Sequence, residues 1–212
     1  MISNKTIDLK TADEINSLFC EVVIAPDYEE TAMAQLKEKK NRIILIQKNT
    51  PLPTNSYRTC LNGILVQDRD NKTDAVDDLD YVTEIKPSPQ EVEDLIFAFK
   101  TVKHVKSNGI VFAKNRASVG IGSGNTSRVD SVQFAIYKAK RNNKESNKKN
   151  LKGAVMASDA FFPFPDSIKI ASQEGVAAII QPGGSINDDK VIKEANNKNI
   201  AMVFTGKRCF SH

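Results

Sequence analysis

Tryptophan is absent from this sequence of 212 residues, histidine occurs twice and cysteine three times. The histidines, His104 and His212, are too few for a histidine-based zinc site, and no Cys-x-x-Cys pair is present, so no zinc is expected. The three cysteines cannot all pair, which together with the lack of a signal-peptide pattern predicts a reduced, cytoplasmic compartment. No apolar stretch approaches ~18 residues, so we expect no membrane-spanning helix.

The chain has little excess charge of either sign, because 30 lysines and arginines face 26 acidic residues. Much of the basic excess lies in residues 138–152, a tract rich in asparagine and without interleaved aromatic residues. A nucleic-acid surface usually spreads basic residues over one face with aromatic residues between them. We therefore interpret the tract as a solvated loop and predict no nucleic-acid partner.

Hydrophobic residues make up 40% of the chain and charged residues 26%, as in a typical globular protein. Helix and strand patterns alternate along most of the sequence, and we expect one α/β domain. The last three predicted strands, 154–157, 176–180 and 201–204, are separated by helix patterns, which favours parallel pairing. The predicted fold class is therefore α/β, with a mixed sheet flanked by helices.

Two segments give the clearest expectations for the core. Residues 88–105 form the strongest helix pattern, in which Ser88 is an N-cap and Glu91 completes a capping box. The apolar residues with helical spacing are Val92, Leu95, Ile96, Phe99 and Val102. Their stripe is expected to face the sheet. Residues 42–47 contain a continuous apolar run at 43–46, which predicts a fully buried strand.

The segment Gly120-x-Gly122-x-Gly124 leads into Ser127-Arg128 at a predicted helix start. Closely spaced glycines let backbone amides approach a ligand, and a helix N-terminus favours an anion. The spacing fits neither the dinucleotide-binding nor the P-loop motif. Two interpretations remain open: a tight turn, or an oxyanion site in which the Arg128 guanidinium takes part.

Residues 157–166 form a proline-broken loop between a predicted strand and a predicted helix. Asp159 and Asp166 bracket Phe161, Phe162 and Phe164 there, and open α/β sheets bind ligands beyond the carboxyl ends of their strands. Charge beside flat rings suits a planar heterocyclic ligand. A buried aromatic cluster under the loop is the alternative.

Two further places offer polar groups at the ends of predicted elements. Asn108, with Ser107, follows the long helix. It either hydrogen-bonds to an amide or imidazole nitrogen of a ligand, or it ends the helix. Residues 182–188 form a turn in which backbone amides and the Ser185 hydroxyl could bind a carboxylate or pterin edge. N-capping of the next helix by Asn187 or Asp188 is the alternative.

Several segments resemble the bifunctional AICAR formyltransferase/IMP cyclohydrolase family of purine biosynthesis. They are residues 22–26, 105–108, 120–131, 153–164, 181–186 and 204–212. They follow one another in order over nearly the whole chain, which a chance motif match does not produce. The resemblance implies that residues 1–212 are the second, C-terminal subdomain of the formyltransferase domain. It also implies a cytidine-deaminase-like fold without the deaminase zinc.

The resemblance also implies roles for ten residues. Those that match the family's binding site for the ribonucleotide AICAR are Asn108, Arg128, Phe161 and Arg208, with Arg208 at the phosphate end. Those that match contacts to the folate co-substrate, 10-formyltetrahydrofolate, are Val129, Asp166, Ser185 and Ile186. A potassium ion occurs in some members near the positions of Asp159 and Ser107, whose oxygens suit a hard cation.

The chain also departs from the family pattern. The catalytic Lys-His pair lies in a first subdomain with no counterpart here, and Lys103-His104 on the long helix is not that pair. The cyclohydrolase domain has no counterpart either. Asn125-Thr126 stands where the family usually has Gln-Met. Pro165 stands where the family often has an arginine. The proline stiffens the loop, and a charge beside the folate position is missing.

We therefore expect the chain to supply nucleotide- and folate-binding residues for formyl transfer to AICAR, in the biosynthesis of IMP. It should be inactive without an N-terminal half, supplied in cis or in trans. The family is dimeric, so a homodimer is expected. Two alternatives remain: a non-catalytic nucleotide-binding or assembly module, and a free-standing enzyme of deaminase-like fold. The missing zinc ligands disfavour the second.

Overall fold

The computed structural model describes residues 1–51, 53–71, 78–141 and 151–210. The chain divides into two compact units, Met1–Asn71 and Lys72–His212. This corrects the expectation of a single α/β domain, because the first unit has its own sheets and its own core. Most of the basic tract (142–150) and the terminal His212 lie outside the described residues, so the predictions for them stay predictions.

The first unit begins with two helices that pack against a two-stranded parallel sheet. Its elements are α1 (Leu9–Ser17), β1 (Val22–Ala25), α2 (Glu30–Lys37) and β2 (Ile43–Ile46). The buried Tyr28 hydroxyl lies 3.1 Å from the carbonyl oxygen of Val23 and 3.0 Å from that of Leu45, and so links the two strands. Burial raises the pKa of the Tyr28 hydroxyl above its usual value.

The prediction of a fully buried strand at residues 42–47 is wrong. Ile43, Leu45 and Ile46 in β2 are 54%, 45% and 61% exposed. In the described part of the chain β2 pairs only with β1. A two-stranded sheet does not cover both faces of such a strand, so a continuous apolar run was not sufficient to indicate burial here.

A β-hairpin completes the first unit. Strands β3 (Asn55–Cys60) and β4 (Gly63–Asp68) pair in antiparallel register, with Tyr57 opposite Val66 and Thr59 opposite Ile64. Every residue of β4 is exposed, as are the last four of β3. The hairpin therefore presents its apolar side chains to solvent.

The second unit is built on a six-stranded sheet in the order β5-β10-β9-β8-β6-β7. Its elements are β5 (Asp80–Tyr81), α3 (Pro89–Val102), β6 (Ile110–Lys114), β7 (Ala117–Gly122), α4 (Arg128–Arg141), β8 (Val155–Ser158), α5 (Asp166–Gln173), β9 (Ala178–Gln181), α6 (Asp188–Asn197) and β10 (Ala201–Phe204). Strands β8, β9 and β10 are parallel, as predicted, and the remaining pairings are antiparallel.

Helices cover both faces of this sheet. Alternate residues of β6 and β8 point to opposite sides, so one core cluster lies against α3 and the other against α4, α5 and α6. This confirms the predicted α/β class with a mixed sheet flanked by helices. In the described ranges, no helix has the length and apolarity needed to span a bilayer.

Helix α3 forms as its sequence predicts. The Ser88 side chain accepts a hydrogen bond from the Glu91 amide, and the Glu91 carboxylate accepts one from the Ser88 amide at 2.7 Å. The predicted stripe is buried apart from Ile96, which is partly buried. Helix α3 also buries Asp94, whose carboxylate accepts hydrogen bonds from the amides of Asn115 and Arg116 in the β6–β7 turn. The sequence pattern did not reveal this contact.

The glycine-spaced segment supports close packing between a helix and a strand. A Cβ atom at Gly120 would lie 2.3 Å from the carbonyl oxygen of Ala135, and one at Gly122 only 1.9 Å from that of Ser131. Both glycines lie in β7, and both carbonyls belong to α4. The two glycines thus let the α4 backbone rest directly on β7. For Gly120 and Gly122, the interpretations as a tight turn and as a ligand loop are therefore both wrong. Gly124, with φ +69°, lies in the connection to α4.

Candidate functional site

A cavity of about 610 Å³ lies in the second unit, at the start of α4 and beneath the loop that follows β8. Residues of four segments line it: Asn108; Thr126, Ser127, Arg128, Val129 and Asp130; Ala160, Phe161, Pro163, Phe164, Asp166 and Ser167; Arg208 and Phe210. The four residues predicted to bind the nucleotide, Asn108, Arg128, Phe161 and Arg208, all belong to this set. The structure thus brings them together as expected, while their binding roles stay predictions.

Arg208 and Phe161 form a stacked pair at this cavity. The Cζ atom of Arg208 lies 4.6 Å from the centroid of the Phe161 ring, within the range of a cation–π contact. The Arg208 side chain is exposed. A guanidinium carries its N–H donors in its own plane, so stacking on a ring leaves it able to bind an oxyanion.

The three phenylalanines of the loop have different environments. Phe162 is fully buried in the core, as the alternative of an aromatic cluster predicted. Phe164 is 59% exposed and lines the cavity. One face of the Phe161 ring is covered by Arg208, so a planar ligand has only part of the expected stacking surface.

Arg128 is held by buried partners at the start of α4. Its side chain is 7% exposed, and Nη1 lies 2.5 Å from Asp159 Oδ1 and 2.8 Å from Ser158 Oγ. Nη2 donates to Asn108 Oδ1 at 2.9 Å. The positive charge of Arg128 is therefore balanced inside the protein. It is not directed at solvent as an anion site would require.

Asn108 lies between two further hydrogen-bonding segments. Its Nδ2 atom donates to the carbonyl oxygens of Asn125 and Thr126 at 3.1 and 3.3 Å. The backbone carbonyl oxygen of Asn108 accepts a 2.7 Å hydrogen bond from Ser131 Oγ. Helix α3 ends at Val102, so the alternative that Asn108 ends this helix is wrong. Asn108 instead joins the start of β6 to the start of α4.

The surroundings of Asp159 do not fit direct ligation of potassium. Asp159 is fully buried. Its Oδ1 atom contacts Arg128, and its Oδ2 atom accepts from Ser107 Oγ at 2.5 Å and from the Gly109 amide at 2.9 Å. A cation on this carboxylate would stand beside a guanidinium and would displace existing donors. Within the described ranges, no group of three or more His, Cys, Asp or Glu side chains is arranged to hold a metal ion.

The residues predicted to contact folate are divided between two places. Val129 and Asp166 line the cavity, whereas Ser185 and Ile186 are not among the residues that line it. Ile186 is 99% exposed. The 182–188 turn approaches the aromatic loop through Asn187, whose Nδ2 donates to the carbonyl oxygen of Pro163 at 2.9 Å.

The expectation that Asn187 or Asp188 caps α6 is correct for the cap position but not for a side-chain capping bond. The Asp188 carboxylate accepts hydrogen bonds from the amides of Gly184 and Ser185 at 2.7 and 3.1 Å. These two amides, which could otherwise bind a ligand carboxylate, are therefore already used within the turn. Asn187 occupies the N-cap position of α6 without a side-chain capping bond.

Sequence reasoning missed several residues at the site, among them Thr126, Ser131, Ser158 and Phe210. Ser158 is the last residue of a fully buried strand and precedes Asp159, and that polar pair was the available signal. Ser131 lies one turn after Arg128 on the buried face of α4. Thr126 and Phe210 line the cavity, but no residue pattern distinguishes them from ordinary loop residues.

Known proteins of similar sequence are bifunctional. The chain is 52% identical over 212 residues to the bifunctional purine biosynthesis protein PurH of Bacteroides thetaiotaomicron, covering 100% of this chain and 41% of that protein. The proteins of the same name from Persephonella marina and Aquifex aeolicus are 49% and 50% identical, each over 99% of this chain and 40% of its own length. The chain thus spans about two fifths of the length of these relatives.

Two solved structures give weaker matches. A diaminohydroxyphosphoribosylaminopyrimidine deaminase/5-amino-6-(5-phosphoribosylamino)uracil reductase from Thermotoga maritima has a TM-score of 0.34 at 16% identity, covering 52% of this chain and 34% of its own. The dCMP deaminase of cyanophage S-TIM5 has a TM-score of 0.36 at 16% identity, covering 55% and 98%. Both TM-scores are below 0.5, so neither likeness supports an inference about this chain.

The family model described as AICARFT/IMPCHase bienzyme matches residues 1–138. That match covers more than half of the chain and includes Asn108, Arg128 and Val129 of the cavity. On these findings the chain belongs to the AICARFT/IMPCHase bienzyme family.

Proposed function

We propose that this chain supplies nucleotide- and folate-binding residues for AICAR formyltransferase, which moves a formyl group from 10-formyltetrahydrofolate to AICAR in purine biosynthesis. The observation that supports this most directly is the convergence of Asn108, Arg128, Phe161 and Arg208 on one cavity. These residues come from segments a hundred positions apart. Their meeting point lies at the carboxyl end of β8, where α/β sheets commonly bind ligands.

Arg208 is the proposed partner of the AICAR phosphate. Because Arg128 is neutralised by Asp159, Arg208 is the arginine whose charge remains for an anion among the residues that line the cavity. Stacking on Phe161 fixes the guanidinium plane and lowers the entropy lost when it binds a phosphate. Asn108 Oδ1 accepts one hydrogen bond from Arg128 and keeps a second acceptor position for an amino or amide N–H of the ligand.

The folate is proposed to lie across the edge of the same cavity. Val129 and Asp166 would contact the part inside the cavity. Ser185 and Ile186 would contact the part that extends over the aromatic loop, since Asn187 joins their turn to Pro163. An elongated co-substrate accounts for a predicted set of contacts that no single cavity contains.

Formyl transfer to the weakly nucleophilic amine of AICAR depends first on holding both reactants in contact. It also needs a group that moves protons. Neither histidine nor lysine is among the residues that line the cavity in the described part of the chain. We therefore propose that this chain binds and orients the reactants, and that another polypeptide region, in cis or in trans, supplies proton transfer.

A second candidate function is a non-catalytic nucleotide-binding module, favoured by the same lack of histidine and lysine among the described residues that line the cavity. Formyl transfer measured on the chain alone, and then after adding the remaining part of a relative such as the Bacteroides protein, separates the two. We expect activity only in the mixture. Nucleotide binding with no activity in either sample would favour the binding module.

Replacing Arg208 with alanine is expected to weaken AICAR binding by ~1.5–3 kcal/mol, because a charge-assisted contact to phosphate is lost. Binding of the phosphate-free nucleoside should change much less. Isothermal titration calorimetry of both ligands gives the comparison. Arg116→Ala is the matched control, since Arg116 is exposed, pairs loosely with Glu93 at 3.9 Å and lies outside the cavity. Equal losses for nucleotide and nucleoside would remove Arg208 from the phosphate role.

We also propose that the chain forms a homodimer. Tyr57, Ile64 and Val66 lie on one face of the β3–β4 hairpin and are 67%, 64% and 55% exposed. An isolated two-stranded hairpin is marginally stable in water, and a contiguous exposed apolar face commonly marks an interface. A second copy of the chain would cover this face.

Light scattering at micromolar concentration should therefore give about twice the chain mass of 23.4 kDa. Ile64→Asp, which places a charge on the apolar face, should weaken association by at least ~10-fold, the effect of burying an unpaired carboxylate. Gln67→Glu on the opposite face is the control. A clean monomer of the unaltered chain across this range would contradict the proposal.

A further inference from the structure

We infer that Asp159 is a positioning residue that fixes Arg128, and through Arg128 the amide of Asn108, and that its carboxylate does not serve as a cation ligand. The contacts that carry this inference form the Arg128 network, defined as Asn108, Arg128, Ser158 and Asp159. The effect on AICAR binding rests on the proposed function. The geometry of the Arg128 network is independent of the proposed function.

Asp159 is tied to several segments of the second unit at once. Its two carboxylate oxygens accept from Arg128, Ser107 and the Gly109 amide. Its backbone amide donates to the Gly109 carbonyl at 3.2 Å, and its carbonyl accepts from the Cys209 amide at 2.8 Å. The residue therefore joins the start of β6, the start of α4 and the segment after β10. Those are the three places that bring Asn108, Arg128 and Arg208 to the cavity.

The guanidinium of Arg128 transmits this position to Asn108. Its planar fork places Nη1 on Asp159 and Ser158, which leaves Nη2 directed at Asn108 Oδ1. The Ser158 hydroxyl in turn donates to the Ala160 carbonyl at 2.7 Å, which directs the lone pairs of Ser158 Oγ toward Arg128. The orientation of the Asn108 amide thus follows from that of the Asp159 carboxylate.

Ser131 holds the other side of Asn108. Its hydroxyl donates to the Asn108 carbonyl, and the hydroxyl oxygen accepts from Asn125 Nδ2 at 3.2 Å. Ser131 is fully buried on α4, one turn beyond Arg128. Residues of α4 therefore hold both the side-chain oxygen and the backbone carbonyl oxygen of Asn108. The Asn108 side chain is in place before a ligand binds.

Burial makes Asp159 unsuited to hold a cation. Removing the partner of a buried charge leaves the other charge uncompensated, which is strongly unfavourable. A potassium ion on Asp159 would either displace Arg128 from its counter-ion or stand beside it as a like charge. The ion pair also leaves the network neutral, so the cavity's affinity for phosphate depends on Arg208.

Two measurements on the full chain test this inference. Nitrogen-15 spectra of arginine side chains report the exchange rate of the Arg128 N–H groups with water. AICAR titration reports the affinity. Both are repeated in potassium chloride and in choline chloride at equal ionic strength. In the unaltered chain we expect the Arg128 N–H groups to exchange slowly with water. The exchange rate and the AICAR affinity should each differ by no more than ~2-fold between the two salts, because a buried ion pair is weakly screened.

Asp159→Asn should speed Arg128 exchange and weaken AICAR binding, each by at least ~10-fold, since the charged partner of the guanidinium is lost. Glu174→Gln is the matched control, because it breaks the Lys140–Glu174 ion pair at 2.7 Å, outside the cavity, and should leave both quantities unchanged. If Asp159→Asn does not fold, Ser158→Ala serves instead. It keeps both charges, removes one acceptor of Arg128 and should weaken AICAR binding by ~3–10-fold, the net worth of a typical hydrogen bond.

A saturable increase of AICAR affinity with potassium in the unaltered chain, absent from Asp159→Asn, would overturn the inference. So would fast Arg128 exchange in the unaltered chain, or a folded Asp159→Asn chain that binds AICAR normally. If the unaltered chain binds no AICAR, the proposed function fails. Arg128 exchange in the two salts then still decides whether Asp159 holds Arg128.

Discussion

Replacing Gly122 with alanine is expected to destabilise the second unit by at least about 3 kcal/mol, at or beyond the upper end of overpacking effects. The added Cβ would lie 1.9 Å from the carbonyl oxygen of Ser131 and within 2.9 Å of its Cα atom. These are backbone atoms of α4 and cannot rotate away. Relief requires the whole helix to move off β7, which would also pull Ser131 away from Asn108. Chemical denaturation measures the loss.

Gly206→Ala is the control for this prediction. Gly206 has φ +67°, and no heavy atom lies within 4 Å of the position that an alanine Cβ would take, so the substitution there meets backbone strain without a clash. Such strain costs ~1–2 kcal/mol. If Gly122→Ala costs no more than Gly206→Ala, then α4 does not rest on β7 as closely as described.

Replacing Phe99 with alanine is expected to cost ~3–5 kcal/mol of unfolding free energy, the typical loss for a large buried aromatic side chain. Phe99 is 4% exposed and lies in the core cluster between α3 and the sheet, together with Val111 and Val155. The free energy of unfolding from denaturant titration gives the value. Its slope shows whether the two-state assumption holds.

Phe134→Ala removes the same atoms from a different environment. Phe134 is 42% exposed on α4 and stacks on Tyr137 with ring centroids 6.2 Å apart. Its loss should cost no more than about 1 kcal/mol, the worth of an exposed aromatic pair. Similar costs for the two phenylalanines would mean that α3 presents a different face to the sheet.

The parts of the fold that sequence predicted well are those governed by local rules. Helix α3 is the clearest case, since its capping box and apolar spacing depend on neighbours within a few turns. The parallel pairing of β8, β9 and β10 likewise follows from the helices between them. Both features were correct because short-range chemistry determines them.

Burial of a strand and the use of a glycine depend on what lies opposite, which the chain's own spacing does not encode. The apolar run in β2 looks like a central strand, yet only β1 pairs with it in the described residues. The glycines of β7 look like a ligand loop, yet their neighbours are the carbonyl oxygens of α4. The backbone of a separate helix decides the role of Gly120 and Gly122.

At the candidate site, the sequence identified the residues better than it identified their partners. The resemblance to a known family named Asn108, Arg128, Phe161 and Arg208, and the structure gathers them. That Arg128 faces Asp159, and that Arg208 covers Phe161, depends on side-chain directions in three dimensions. No sequence rule predicts which of two arginines is neutralised.

The pairing of β5 with β10 sets an order for assembly on the ribosome. Thr83, just after β5, exchanges hydrogen bonds with Met202 of β10, 119 positions later. Contacts this distant in sequence close a long loop and form late. Until β10 emerges, β5 lacks the partner to which it is paired, and the free edge of β9 is open to other strands. The nascent chain thus carries an unprotected sheet edge until nearly all of the second unit has been synthesised.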